Sequence, residues 1–269
     1  MNPLNSTEKK VKPVILAVSF GTSFDESREK TIGAIEGALA QAYPEWEVRR
    51  AFTSGMILRS LRKRGVLIDS VGEAMERLVL DGVQQVVVQP THVMQGFEYD
   101  EAVDEVESYR DRIGMLHLAQ PLLSEEADYE KLIRCLAEDL APYEAEKTAI
   151  VLMGHGTEHP ANSTYSFLRQ KLEAAGRADV FVGTVEAEPT VQDVLTQVQK
   201  TDAKRVVLLP LMVVAGDHAN NDMAGEDPDS WKSIFEAAGY EVTCVLRGMG
   251  ESSGVQQIYV EHTAAAMVQ

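Results

Sequence analysis

Three polar side chains in the second half of the chain have the types and the placing to handle a metal ion. His155 follows the apolar run Ala149–Met153, Glu186 follows Val180–Thr184, and His218 lies in the segment after Arg205–Leu209. Two imidazoles and a carboxylate form a ligand set for a borderline divalent ion such as Co2+, Fe2+, Ni2+ or Zn2+. Three protein ligands leave coordination positions open for exchange or for substrate. Gly154 and Gly156 flank His155. Their missing side chains suggest a place where a flat ligand approaches the backbone.

In open parallel sheets, ligands bind outside the carboxyl ends of the strands. Three side chains scattered in sequence can therefore converge on one cleft if the runs before them are such strands. The strand-like runs are Val14–Ser19, Glu47–Phe52, Gln84–Pro90, Met115–Ala119, Ala149–Met153, Val180–Thr184, Arg205–Leu209 and Val242–Leu246. Most are apolar at nearly every position, not at alternate ones, as in strands buried on both faces. Amphipathic stretches such as Glu26–Ala42, with Ile32, Ile35 and Leu39 on one face, alternate with them. The alternation predicts right-handed βαβ units and an α/β fold with mainly parallel sheets flanked by helices.

The chain also repeats itself. Leu16–Thr22 aligns with Val151–Thr157, 135 positions on, and Val86–Pro90 aligns with Val206–Pro210, 120 positions on. The second pair of runs is followed at matching distances by Gly96 and Gly216. Ahead of them, Ser70–Glu73 aligns with Thr190–Asp193, and each reads as an N-cap with an acidic residue at the third helical position. Two similar α/β halves are expected, 1–124 and 125–269, the second carrying most of the metal ligands. Their differences locate chemistry: Phe20 stands where the second half has His155, and Glu98 where it has His218.

Composition removes other classes. Of 269 residues, 42 are Asp or Glu and 25 are Lys or Arg, a formal net charge of −17. A phosphate-tracking nucleic-acid binder needs a basic face, and an anionic membrane surface repels such a chain. The longest uncharged apolar stretch, Val206–Gly216, is too short to span a bilayer and contains Pro210. The polar start, Met1–Lys12, is followed by no signal-peptide apolar region. Cys135 and Cys244 fit neither a zinc nor a redox spacing, as in a reduced compartment. No Gly-rich Walker sequence with Lys-Ser/Thr occurs, so no nucleotide is expected. The composition describes a soluble cytoplasmic protein without nucleic-acid or membrane partners.

Gly154-His155-Gly156-Thr157, Gly183-Thr184-Val185-Glu186 and the run Ala215-Gly216-Asp217-His218-Ala219-Asn220-Asn221-Asp222 resemble the anaerobic-type sirohydrochlorin cobaltochelatases. So do Ser19–Ser23 and Gln89–Tyr99, and the likeness runs from Val14 to His262. The Ala-Gly-Asp-His-Ala-Asn-Asn-Asp run is its most specific piece. These are class II, ATP-independent chelatases, distantly similar to protoporphyrin ferrochelatases. The resemblance implies two α/β halves around a cleft, and insertion of Co2+ into sirohydrochlorin (or precorrin-2) with release of two protons in anaerobic cobalamin biosynthesis. It implies that His155, Glu186 and His218 hold the metal, that His155 accepts a proton, and that Glu98 is an acidic catalytic residue facing the cleft. Co2+ is then a substrate. Fe2+ suits the same ligands, so a sirohaem-forming ferrochelatase stays open, as does a non-catalytic metal or tetrapyrrole carrier. The resemblance also allows a homo-oligomer.

Sirohydrochlorin is a polycarboxylate, and a chain at −17 must meet it locally. One candidate patch is Arg49, Arg50, Arg59, Arg62, Lys63 and Arg64, with Arg59 the cleft contact. Arg62, Lys63 and Arg64 also read as cations at a helix C-terminus before Gly65. Hydroxyls and N–H groups at helix starts are the other candidates: Ser19, Thr22, Ser23, Thr157 and Ser163. Of the remaining histidines, His92 reads as core or as backing for the cleft, His117 as core and His159 as a spare surface ligand; His262 falls in a terminal helix.

Overall fold

A computed structural model describes residues 11–268. The polar start, on which the absence of an export signal was read, lies outside the described residues as far as Lys10. Nine strands follow in order: β1 (Val14–Ser19), β2 (Glu47–Phe52), β3 (Asp69–Ser70), β4 (Gln85–Pro90), β5 (Met115–Leu118), β6 (Thr148–Gly154), β7 (Val180–Thr184), β8 (Arg205–Pro210) and β9 (Glu241–Cys244). They form a five-stranded sheet, β3-β2-β1-β4-β5, and a four-stranded sheet, β7-β6-β8-β9. Every pairing is parallel. Helices flank both sheets, which is the α/β architecture expected from the alternating runs. The short β3 was not foreseen, because two polar residues carry no apolar signal. The last expected run, Val242–Leu246, is shifted to Glu241–Cys244.

All six residues of β1 are buried, and so are all of β6 except Thr148. Each is flanked by a strand on both sides and covered on both faces, which explains why these segments carry no polar alternation. Without β3, the order β2-β1-β4-β5 has the same topology as β7-β6-β8-β9. The repeat extends to the helix starts. The Ser70 hydroxyl accepts from the Glu73 N–H while Glu73 accepts from the Ser70 N–H. Thr190 and Asp193 make the same reciprocal pair. Each pair satisfies helix N–H groups that would otherwise lack partners.

One helix of the second half crosses back to the first sheet. The last helix, Ser253–Met267, packs on the first sheet. There the Tyr259 hydroxyl donates to the Thr91 carbonyl at 2.9 Å, and Thr263 Oγ1 donates to Gln89 Oε1 at 2.8 Å. The helix Glu126–Leu140 packs on Ser163–Ala174, with Tyr129 edge-on to Phe167 at 4.8 Å. One continuous core therefore holds Ile15 and Ala17 of β1 together with Ile150 and Leu152 of β6. Among the described residues no helix is long and apolar enough to cross a membrane.

A buried side-chain pair, Asp128 with His262, joins the helices Glu126–Leu140 and Ser253–Met267. Asp128 accepts from the N–H groups of Ser124 (3.1 Å) and Glu125 (2.9 Å), and His262 Nε2 lies 3.0 Å from its other oxygen. His262 Nδ1 reaches the Gln120 carbonyl at 3.2 Å. Burial opposes the Asp128 charge, but the backbone donors and the imidazole outweigh it and hold the carboxyl below the ordinary aspartate range. A depressed native pKa stabilises the fold above the unfolded value of about 3.9, and that contribution disappears as pH falls through the native one. Asp128→Asn is expected to cost about 1–3 kcal/mol at neutral pH, and the difference from wild type should shrink under acid. Urea unfolding of both proteins across pH measures this; a pH-independent difference contradicts it.

Candidate metal centre and cleft

The carboxyl ends of both sheets open on one cavity of about 550 Å³. Its walls include Phe20 after β1, Thr91 and His92 after β4, His155 after β6, Glu186 after β7 and His218 after β8. The parallel register sets this up: Gly154 pairs with Thr184, and Met153 with Pro210, so the chain leaves three neighbouring strands side by side.

His155 is presented by a tight turn. Gly156 has φ +87°, a left-handed conformation that L side chains rarely adopt. A Cβ on Gly156 would lie 2.8 Å from Thr184 and from the Ala187 nitrogen, and one on Gly154 would lie 2.2 Å from the Tyr165 ring. These glycines thus serve the packing of the turn on Tyr165 and on the β7 loop. That corrects the expectation that both were kept small for a ligand. The Tyr165 hydroxyl accepts from the Gly156 N–H at 3.3 Å. His155 Nδ1 lies 2.8 Å from the Gly156 carbonyl. A carbonyl only accepts, so Nδ1 carries the proton of the neutral ring and Nε2 keeps its lone pair.

Glu186 is tied to the same turn. Its N–H donates to the His155 carbonyl at 2.8 Å, and Val185 donates to Gly154 at 3.0 Å. Thr184 closes the loop behind it, donating from Oγ1 to the Ala187 carbonyl at 2.5 Å and from its N–H to Pro189 at 2.7 Å.

His218 stands at the start of a π-helical turn, Ala219–Met223. The motif around it builds that turn. Asn220 donates to the Gly216 carbonyl from both its backbone and its side chain, at 3.1 and 2.7 Å. Asn221 Nδ2 donates to Asp217 Oδ1 at 2.9 Å. Asp222 Oδ2 lies 2.7 Å from His218 Nδ1. The carboxylate accepts from Nδ1, which fixes the tautomer and leaves Nε2 as the donor atom toward a metal. Sequence reasoning singled out His218 but gave Asp222 no role, although spacing of four residues in a helical turn was the available signal.

One donor atom from each of His155, Glu186 and His218 lies within 4.8 Å of the others. The two imidazoles meet edge to face, with ring centroids 4.7 Å apart, and His155 Nδ1 is 3.9 Å from Glu186 Oε2. The three residues singled out by their strand-end positions are therefore brought together. Glu98, in the first turn of the helix Phe97–Glu107, lines the same cavity outside that cluster. The charged side chains of the wall are Glu98, Glu186 and Asp217, with no Lys or Arg among the described lining residues. Such a field draws in a divalent cation.

The expected anion contacts are placed less favourably. Arg49 is paired with Glu47 and Asp81, Arg50 with Glu36, Arg62 with Glu73, and Arg64 with Asp25. These arginines neutralise the protein's own carboxylates. Arg62 and Lys63 occupy the last turn of the helix Gly55–Lys63, as a C-terminal reading requires. Arg59 is exposed, with no ion pair among the described residues, one turn from Met56 on that helix. Ser19, Thr22, Ser23 and Thr157 line the cavity, while Ser163 does not. Ser19 Oγ accepts from Thr91, Thr22 Oγ1 from the Phe24 N–H, and Thr157 Oγ1 from the His159 N–H. Thr22 and Thr157 thus close their own turns, and Ser19 links the ends of β1 and β4.

The other histidines also separate. His159 is no spare ligand: its Nδ1 accepts from the Ala161 N–H, and its Nε2 faces Asp100 at 3.4 Å across the cleft rim. His262 is taken up by its contact with Asp128. His117 in β5 is only partly buried. His92 lines the cavity with both ring nitrogens buried and without protein partners, and burial pushes its pKa down to about 4.

Known proteins resemble the chain over nearly its whole length. The sirohydrochlorin cobaltochelatase of Salmonella typhimurium strain LT2 is 41% identical over 258 residues, covering 96% of this chain and 97% of its own. The sirohydrochlorin cobaltochelatase CbiKC of Nitratidesulfovibrio vulgaris strain Hildenborough is 35% identical over 260 residues, covering 95% and 91%. Among solved structures, SirB from Bacillus subtilis with Fe3+ shares the fold at a TM-score of 0.66 and 13% identity, over 95% of this chain and 96% of that one. The CbiX structure from the siroheme pathway of denitrifying bacteria matches with a TM-score of 0.57 and 15% identity, over 95% and 99%. The family model described as cobalt chelatase (CbiK) matches residues 13–268, and the chain belongs to that family.

Proposed function

We propose that this protein inserts Co2+ into sirohydrochlorin, with release of two protons and without ATP. The observation that carries the reading is the cluster of His155, Glu186 and His218 donors within 4.8 Å, on the wall of a cavity between two sheets, in a chain of the cobalt chelatase family. Co2+ is a substrate here. His155, His218 and Glu186 capture it from solution, and two imidazoles hold it without trapping it as thiolates would. The Glu186 carboxylate offsets part of its charge.

Metal transfer exchanges these ligands for pyrrole nitrogens. As the ion leaves, Nε2 of His155 regains a free lone pair and accepts one pyrrole proton, a task suited to an imidazole near neutral pH. The Gly156 carbonyl at Nδ1 steadies the imidazolium that results. Glu98, at the rim, is the proposed acceptor for the second proton. Asp222 keeps His218 in its ligating tautomer throughout. Arg59 and the hydroxyls of Ser19, Thr22, Ser23 and Thr157 are the proposed contacts for peripheral carboxylates, with Arg59 foremost because its guanidinium is unengaged among the described residues. A cytoplasmic site of action belongs to the same proposal and is in keeping with two free cysteines, Cys135 and Cys244.

Incubating the protein with sirohydrochlorin and Co2+ or Fe2+, without nucleotide, tests the activity by absorbance. Insertion well above the spontaneous rate with Co2+ is expected. A rate equal to the spontaneous one would leave only a carrier, and faster insertion of Fe2+ would favour sirohaem formation. His155→Ala is expected to lower kcat by about a hundredfold or more with an unchanged far-UV circular dichroism spectrum; wild-type turnover in that variant removes its proton-accepting role. Asp222→Asn is expected to raise the KM for Co2+ about 10–100-fold while leaving sirohydrochlorin affinity intact. Equal shifts in both constants would show that Asp222 merely maintains the fold.

A further inference from the structure

The internal repeat places two unlike residues at equivalent turns. Gly21 has φ +98° after Phe20, and Gly156 has φ +87° after His155. Both turns follow an inner strand of their sheet, β1 or β6. A Cβ on Gly21 would lie 2.5 Å from the Phe52 ring, so this turn is seated on a fully buried side chain. The backbone that presents an imidazole in the second half thus presents a phenyl ring in the first.

That ring is not in the core. Phe20 is 41% exposed, as is Phe24, and Met56 is 67% exposed. All three line the same cavity as His155, Glu186 and His218. Exposed large apolar side chains gathered in one cleft mark a binding surface. The charge pattern says which part of a ligand they meet. No Lys or Arg belongs to the described wall, and its charged groups are carboxylates. The charged groups of the wall therefore give the anionic periphery of a tetrapyrrole no attraction, leaving it to Arg59 and the wall's hydroxyls, while the apolar side favours the flat ring system.

Resting on the function proposed above, we propose that Phe20, flanked by Phe24 and Met56, is the shelf on which one face of the macrocycle lies. The opposite face is left to His155, Glu186 and His218. The repeat has diverged into one wall that binds the ring and one that delivers the metal, so the ion enters from a single face. Offset stacking on the phenyl ring and burial of its exposed surface supply the affinity.

The test is steady-state kinetics with each substrate varied in turn, on wild type, Phe20→Ala, Phe20→Tyr and Met56→Ala. Phe20→Ala is expected to raise the KM for sirohydrochlorin about tenfold, with the KM for Co2+ unchanged. Phe20→Tyr, which keeps the ring, should restore it, and Met56→Ala should shift the same constant in the same direction. Metal-free titration of sirohydrochlorin absorbance should show the same order of affinities. An unchanged sirohydrochlorin KM in Phe20→Ala, or a parallel rise in the Co2+ KM, overturns the shelf while leaving the chelatase activity of the wild type standing. Failure of the wild type itself to insert Co2+ overturns the proposed function and the shelf with it.

Discussion

The parallel pairing of β6 with β7 on one side and β8 on the other is the constraint on which the site depends. It brings the ends of three strands together, so that residues 31 and 63 positions beyond His155 become its neighbours. Backbone hydrogen bonds then set the fine geometry. Glu186 hangs from the His155 carbonyl, and His218 is held by Asp222 within one π-helical turn. These contacts all come from the chain itself. The imidazoles are held through Nδ1 by a carbonyl and a carboxylate, so each ring is oriented before a metal arrives.

The same fold is used twice with different results. An inner strand, a left-handed glycine turn and a capped helix recur in both halves, while the side chains at the turns have diverged. Packing explains why the scaffold could stay fixed meanwhile. The turns are seated on buried rings, Phe52 in one half and Tyr165 in the other, and the C-terminal helix ties the end of β4 to the shared core. The two side chains that differ, Phe20 and His155, are both partly exposed and free of that core packing.

Electrostatics divides along the same line. A strongly acidic chain has consumed most of its arginines in pairs with its own carboxylates, as Arg50 with Glu36 and Arg112 with Glu76 show. The cleft is left with acidic and apolar walls and no cation among its described lining. Such a site attracts a divalent ion and offers the tetrapyrrole mainly its flat apolar surface, with Arg59 outside the ring of lining residues.

Much of this was legible in the amino-acid order. Continuous apolar runs gave buried parallel strands, because a strand covered on both faces has no reason to alternate, and the strand-end rule selected His155, Glu186 and His218. The misreadings share one cause. Arg49, Arg50, Arg62 and Arg64 looked like a patch because they are close in sequence, yet each is paired with a carboxylate that folding brings near. Gly154 and Gly156 looked like room for a ligand, but the space is filled by Tyr165 and the β7 loop. His159 looked spare until Asp100 arrived from the other half. Sequence by itself determined the local terms: strand and helix periodicity, caps, the repeat, and which residue types stand at strand ends. Only the tertiary structure decided which charges are neutralised, which hydroxyls are engaged and which rings face the cleft, because those depend on partners from distant segments that no local pattern encodes.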